Sequence, residues 1–161
     1  MRKFTFLLTF LAIALLSSAQ SRSDKWYFGQ NAAMDFTGGA PTAGLGWLST
    51  QEGCSSISDP AGNLLFYTDG RTIWDRTGTV MPNGSGLLGN SSTSQAAVIV
   101  PRRGDIYYYV FSLAQTCGMN GLSWSLVNIL QNGGNGDVIT KNVTLVTPAT
   151  EQMCAVRHSN G

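Results

Sequence analysis

The stretch Ile57–Tyr67, ISDPAGNLLFY, decides how the rest of the chain is read. It has the form of a short strand, a turn and a second strand. In the turn Pro60 presets φ and Gly62 tolerates φ > 0. The second strand is rich in large apolar and aromatic residues. The plan returns at Ile99–Tyr109, IVPRRGDIYYY, and opens again at Val156–Gly161, VRHSNG. Ile57 and Ile99 are 42 residues apart, Ile99 and Val156 are 57 apart, and a glycine follows each five residues on: Gly62, Gly104 and Gly161.

Working outward, each copy extends into a unit of four strands. The first takes Cys54–Ser58, Leu64–Thr68, Thr72–Asp75 and Thr79–Met81, with Asp69-Gly70 as a tight two-residue hairpin turn. The second takes Gln95–Val100, Ile106–Leu113, Leu122–Leu130 and Asp137–Val146. Glu151–Arg157 is the first strand of a third. Upstream, Trp26–Phe28 and Ala33–Phe36 are short strands joined through Gly29–Asn31, and Trp47–Thr50 is another. Gly38–Gly46 and Pro82–Ser94 read as loops, on their Gly, Ser and Asn content.

Four-stranded units recurring every 40–50 residues or so are the signature of β-propeller blades. The fold expected is therefore all-β, a partial β-propeller-like repeat of four-stranded antiparallel blades, with a β-sandwich as the alternative. Residues 26–161 hold about two blades and the start of a third. One blade alone buries too little apolar area to offset the entropy of ordering its backbone, so it needs neighbours on both faces. The chain is accordingly expected to be the N-terminal fragment of a longer protein.

At the N-terminus, Arg2 and Lys3 precede the apolar run Phe4–Leu16, and Ser17-Ser18-Ala19 supplies small residues for cleavage. This is the pattern of a secretory signal peptide, residues 1–19, whose apolar segment forms a helix too short to span a bilayer. Residues 20–25 follow as a polar, flexible leader. Export to the cell surface or medium is the expected localisation, with no transmembrane span in the mature chain. Charged residues are 12% of the chain, half the usual share of roughly 25%. The formal net charge is only +1, and losing Arg2 and Lys3 takes it to −1. Neither value supports nucleic-acid binding.

Cys54, Cys117 and Cys154 are an odd set for an oxidising compartment. Cys54 and Cys154 fall at similar places in two copies, on first strands too far apart to be bridged, so buried free thiols are expected. No residue stands out as catalytic, cofactor-binding or metal-ligating, and no cofactor is expected. The one histidine, His158, sits in a terminal turn. Gln131–Asp137, QNGGNGD, is one residue short of the calcium-binding Gly-Gly-x-Gly-x-Asp repeat and occurs once, so a hairpin turn is the better reading. Asp59, Asp69, Asp75 and Asp105 lie in or beside turns, where aspartate bonds its own backbone. Tyr107–Tyr109 and Phe111 alternate faces on a strand, fitting core packing first and a sugar-stacking platform second. Asn83, Asn90 and Asn142 begin N-glycosylation sequons.

Several segments together carry a resemblance: KWYFGQNAAMDF, GNLLFYTDGRTIWDRTGTVMPNGSGLLG, QAAVIVPRRGDIYYYVF and NGGNGDV with TEQMCAVRHSNG. They resemble the N-terminal region of large secreted Bacteroidetes proteins that end in a gliding-motility-associated C-terminal domain. That domain is the type B sorting signal of the type IX secretion system, and PKD modules often lie between. The resemblance spans nearly all of residues 26–161. It implies a propeller-like part and passage through the type IX machinery by a C-terminal domain absent from this sequence. It carries over no catalytic residues. The function expected is a non-enzymatic surface module for adhesion or for binding an extracellular glycan or protein. A polysaccharide hydrolase or lyase on the same scaffold is the alternative.

Overall fold

A computed structural model describes residues 21–116 and 118–156. Its strands are β1 (Lys25–Phe28), β2 (Gln30–Asp35), β3 (Thr42–Ser49), β4 (Ser55–Ser58), β5 (Leu64–Thr68), β6 (Thr72–Asp75), β7 (Val80–Ser85), β8 (Ala97–Pro101), β9 (Tyr107–Leu113), β10 (Leu122–Asn128) and β11 (Asp137–Val146). They form three open sheets in chain order: β1–β3, β4–β7 and β8–β11. Every pairing is between neighbours in sequence and antiparallel. Among the described residues a 3-10 turn at Asn132–Gly134 is the one helical element, and no helix is long and apolar enough to cross a membrane. The protein is all-β, as its sequence leads one to expect. The signal peptide expected at 1–19, Cys117 and the turn expected at His158–Gly161 lie outside the described residues.

The sheets stack in order, and each has a leading face toward the next sheet and a trailing face toward the previous one. Period-2 alternation assigns the side chains. From the first sheet, Tyr27 stacks on Tyr67 of β5 at 4.2 Å and 11°. Tyr67 in turn lies near-parallel to Trp74 of β6 at 5.6 Å. The Tyr67 hydroxyl accepts the Trp47 amide at 3.2 Å, and the Ser56 hydroxyl donates to the Lys25 carbonyl at 2.8 Å. Ser56, Tyr67 and Trp74 are cross-strand partners, so they form the trailing face of the second sheet. Its leading face carries Ile57, Phe66 and Ile73. These meet Ile99, Tyr108, Val110, Val127 and Val138 of the third sheet in one buried core. Phe66 and Tyr108 touch edge to face at 5.6 Å and 89°.

The two hairpins repeat with a register that differs by one from the sequence match. Loops Asp59–Asn63 and Arg102–Ile106 have equal length, and the pairs Ser56↔Tyr67 and Ile57↔Phe66 correspond to Ile99↔Val110 and Val100↔Tyr109, a step of 43. Gly62 therefore corresponds to Asp105, not to Gly104. Both donate their amide to the carbonyl three residues back, Asp59 at 3.0 Å and Arg102 at 3.1 Å. Both have positive φ, 87° for Gly62 and 56° for Asp105. Aspartate tolerates that left-handed conformation, which hides the equivalence from a search for glycine. The correction matters because a one-residue slip moves every side chain to the other face. The structural counterpart of Ile57 is Val100, which points away from the core, and Ile99 takes the place of Ser56.

Local expectations also change. The loop expected over Gly38–Gly46 becomes strand from Thr42, because its glycines serve packing. A Cβ on Gly46 would lie 2.5 Å from Cδ1 of Tyr27, whose ring covers the strand there. The loop expected over Pro82–Ser94 begins later, since β7 runs to Ser85. The β5–β6 connection is Asp69–Arg71, not a two-residue Asp-Gly turn. Only Gly70 of that pair has positive φ, whereas the type I′ turn needs both. Asp69 Oδ1 instead accepts the Arg71 and Thr72 amides at 2.8 and 2.7 Å. Residues Glu151–Val156 form no strand. Glu151 accepts the Ser94 amide at 3.1 Å and the Thr116 amide at 2.6 Å, which holds this segment beside the third sheet. Residues 21–24, read from sequence as leader, are tied in too: the Ser58 amide donates to the Arg22 carbonyl at 2.9 Å, and Arg22 pairs with Asp105 at 2.7 Å.

Candidate functional site

An open cleft of about 470 Å³ lies at the seam of the first and second sheets. Strand β1 supplies Lys25 and Tyr27, β2 supplies Asp35, and β3 supplies Thr42. Asn63 comes from the β4–β5 loop and Arg76 from the β6–β7 turn. Tyr27 stacks one ring face on Tyr67 while lining the cleft, and its phenol pKa is pushed up by burial. Lys25 and Asp35 are cross-strand partners and form an ion pair. The Asp35 carboxylate accepts the Lys25 ammonium and both the hydroxyl and the amide of Thr37, which draws its pKa down to about 2. Arg76 donates to the Gly134 carbonyl, so its guanidinium bridges the second and third sheets while lining the cleft. The site offers a half-buried aromatic ring, two cations, one paired carboxylate and an amide. Such a set suits polar recognition by hydrogen bonds and ring contact.

The aspartates singled out from sequence do not converge with it into a catalytic pair. Asp59 accepts the Ala61 and Asn63 amides, each at 2.9 Å, and the Asn63 side chain at 3.0 Å. Burial raises its pKa, but these bonds and the Arg76 charge outweigh burial and hold it below the ordinary value. Asp75 closes the next turn by accepting the Thr77 amide at 2.8 Å, the Thr77 hydroxyl at 2.6 Å and the Thr79 amide at 3.1 Å. Asp69 does the same for the β5–β6 loop, and Asp105 holds Arg22. Asp35-Phe36-Thr37 and Asp75-Arg76-Thr77 thus share one device, a carboxylate clamping the amide and hydroxyl two residues on. That Asp-x-Thr signal was present in the sequence. The pairing of Lys25 with Asp35 was not, since it depends on sheet register.

The remaining candidates are placed as follows. QNGGNGD makes the β10–β11 turn, with the Gly134 and Gly136 amides donating to the Gln131 carbonyl at 3.0 Å. Asp137 accepts the Asn83 side-chain amide at 3.1 Å. Among the described residues no three of His, Cys, Asp and Glu gather as metal ligands. Of the tyrosine run, Tyr108 is fully buried while Tyr107 and Tyr109 are half-buried on the other face. Tyr109 meets Trp124 edge to face at 5.5 Å and Phe111 at 6.2 Å. In the sequons, the side chains of Asn83 and Asn142 donate to Asp137 and to the Gly86 carbonyl, and Asn90 accepts the Ser92 amide. Cys54 and Cys154 are free thiols. Cys54 precedes β4 and is half-buried, and desolvation pushes its pKa up, which makes a weak nucleophile. Cys154 is exposed, contrary to the buried position expected, because its segment forms no strand. His158 lies outside the described residues.

Compared with known proteins, the chain matches no family model, no curated protein and no solved structure.

Proposed function

We propose that this is an exported, non-enzymatic binding module whose three sheets are successive blades of a propeller-like stack. Its ligand site is the cleft between the first two sheets. The stacking sense supports the blade reading. In a two-sheet sandwich, equivalent faces of two repeats look at each other. Here Ile57–Phe66 and its counterpart Val100–Tyr109 look the same way along the stack. The observation that carries binding over hydrolysis is the make-up of the cleft: its one lining carboxylate among the described residues, Asp35, is engaged by Lys25 and Thr37, and no second carboxylate lines the cleft beside it to complete an acid–base pair. The ligand class is an extracellular glycan or a polar protein segment, bound by Tyr27, Asn63 and Arg76. Export through an N-terminal signal peptide, and passage through a type IX pathway, belong to the same reading.

A glycan array probed with the purified chain tests the proposal. Binding to a defined set of glycans is expected, weakened about tenfold or more in Arg76→Ala and in Asn63→Ala. Turnover of any polysaccharide that is lost in Asp35→Asn would overturn it.

A further inference from the structure

Among the described residues, both ends of the stack expose large apolar side chains. At the front, the leading face of the third sheet presents Val100, Tyr109 and Leu126 in one cross-strand row and Val98, Phe111, Trp124 and Val143 in the next. Val143 is 38% exposed, and the aromatic residues beside it are half-buried and pack on one another. At the back, the trailing face of the first sheet presents Trp26, Phe28, Met34 and Leu45, of which Leu45 is 85% exposed. Both faces are uncharged in their centres. Lys25 and Asp35 project from the opposite face of the first sheet, with Tyr27. Lys141, the cation on β11, reaches back to the Ser85 carbonyl of β7. Exposed apolar residues gathered on one face mark contacts with protein.

We infer that the leading face of the third sheet seats the trailing face of the first sheet of a second copy of this chain, head to tail. The proposal rests on the blade reading of the fold and on the two interfaces inside the chain. Each joins a leading face to a trailing face: first sheet on second through Tyr27 and Tyr67, second on third through Phe66 and Tyr108. The leading face of the third sheet and the trailing face of the first, both apolar and exposed among the described residues, are the two halves of one more contact of the same kind. Such a contact is heterologous, so it closes into a ring or extends the stack.

Light scattering on the purified chain at about 100 µM tests this. A mass at least twice the 17.2 kDa of one chain is expected. Leu45→Lys and Val143→Lys change exposed positions at opposite ends, and circular dichroism checks that each keeps its strand content. Each variant alone is expected to lose association by about 100-fold, since a charge is placed in a dry contact. An equimolar mixture of the two is expected to recover a two-chain species, because each retains the end the other lacks. Persistent dimers of Leu45→Lys would mean that two leading faces pair with each other, and would overturn the proposal. A wild-type chain that stays monomeric overturns it as well. Neither result touches glycan binding at the cleft, so failure here is distinct from failure of the proposed function.

Discussion

Phe66 in β5 and Tyr109 in β9 occupy the same place in successive sheets, each paired with the same position of the preceding strand. Phe66 is fully buried against Tyr108 of the next sheet, whereas Tyr109 is half-buried and its ring contacts are with Trp124 and Phe111 of its own sheet. The difference teaches that a strand position acquires its energetic weight from what stacks on it. Apolar character and strand register are shared by the two residues, and burial is not.

The sharpest way to break this comparison is to truncate both side chains. Phe66→Ala is expected to cost about 4 kcal/mol in urea unfolding of the dilute chain, because its neighbours cannot collapse around the cavity. Tyr109→Ala is expected to cost about 1 kcal/mol, since most of its loss is contact within one sheet. Equal losses would refute the contrast between a buried and a half-buried position.

A smaller effect separates the two loops. Gly62 and Asp105 share a place and a left-handed backbone, but a Cβ on Gly62 would meet Asp24 Oδ2 at 3.0 Å and Ser21 Cβ at 3.2 Å. Gly62→Ala is therefore expected to destabilise by about 1–2 kcal/mol. Asp105→Gly removes the partly exposed Arg22 ion pair and relieves the backbone, so its net change is expected within about 0.5 kcal/mol. Thermal melts of both variants measure the difference, and a larger loss for Asp105→Gly would reverse the assignment of which loop is the tighter.

The smallest effect is on acidity. At the step of 43, Asp59 corresponds to Arg102, so only the first loop is clamped by a carboxylate. The folded pKa of Asp59 is depressed, so its contribution is complete above the unfolded value of about 3.9 and is lost as pH falls through the folded value. Amide exchange at Ala61 and Asn63 is expected to gain on that at Asp105 as pH is lowered from about 5 towards 3, after correction for intrinsic rates. Parallel behaviour of the two loops would show that the clamp carries no stability.

Much of the fold was legible along the chain. Leu64–Thr68, Thr72–Asp75 and Asp137–Val146 are strands over the spans that alternation and turn residues indicate. Asp59 and Asp69 bond their own loops, as aspartate in turns does. Errors gathered where glycine had two meanings. Gly46 looked like a loop residue and is a flat seat for Tyr27. Gly104 looked like the partner of Gly62, while Asp105 takes that role. The cleft was not legible, because Lys25, Asp35, Asn63 and Arg76 are brought together by cross-strand register and by the docking of two sheets.

By itself the sequence determined that this chain is built of strands and tight turns, since period-2 alternation and φ preferences act over a few residues. It also determined that the strands come in repeated units. Only the tertiary structure decided which face of each unit is core. That choice turns on a single residue of register, because successive side chains on a strand point to opposite sides. Sheet stacking then buried Phe66, left Tyr109 half-buried, and set a cleft between the first two sheets where no motif had pointed.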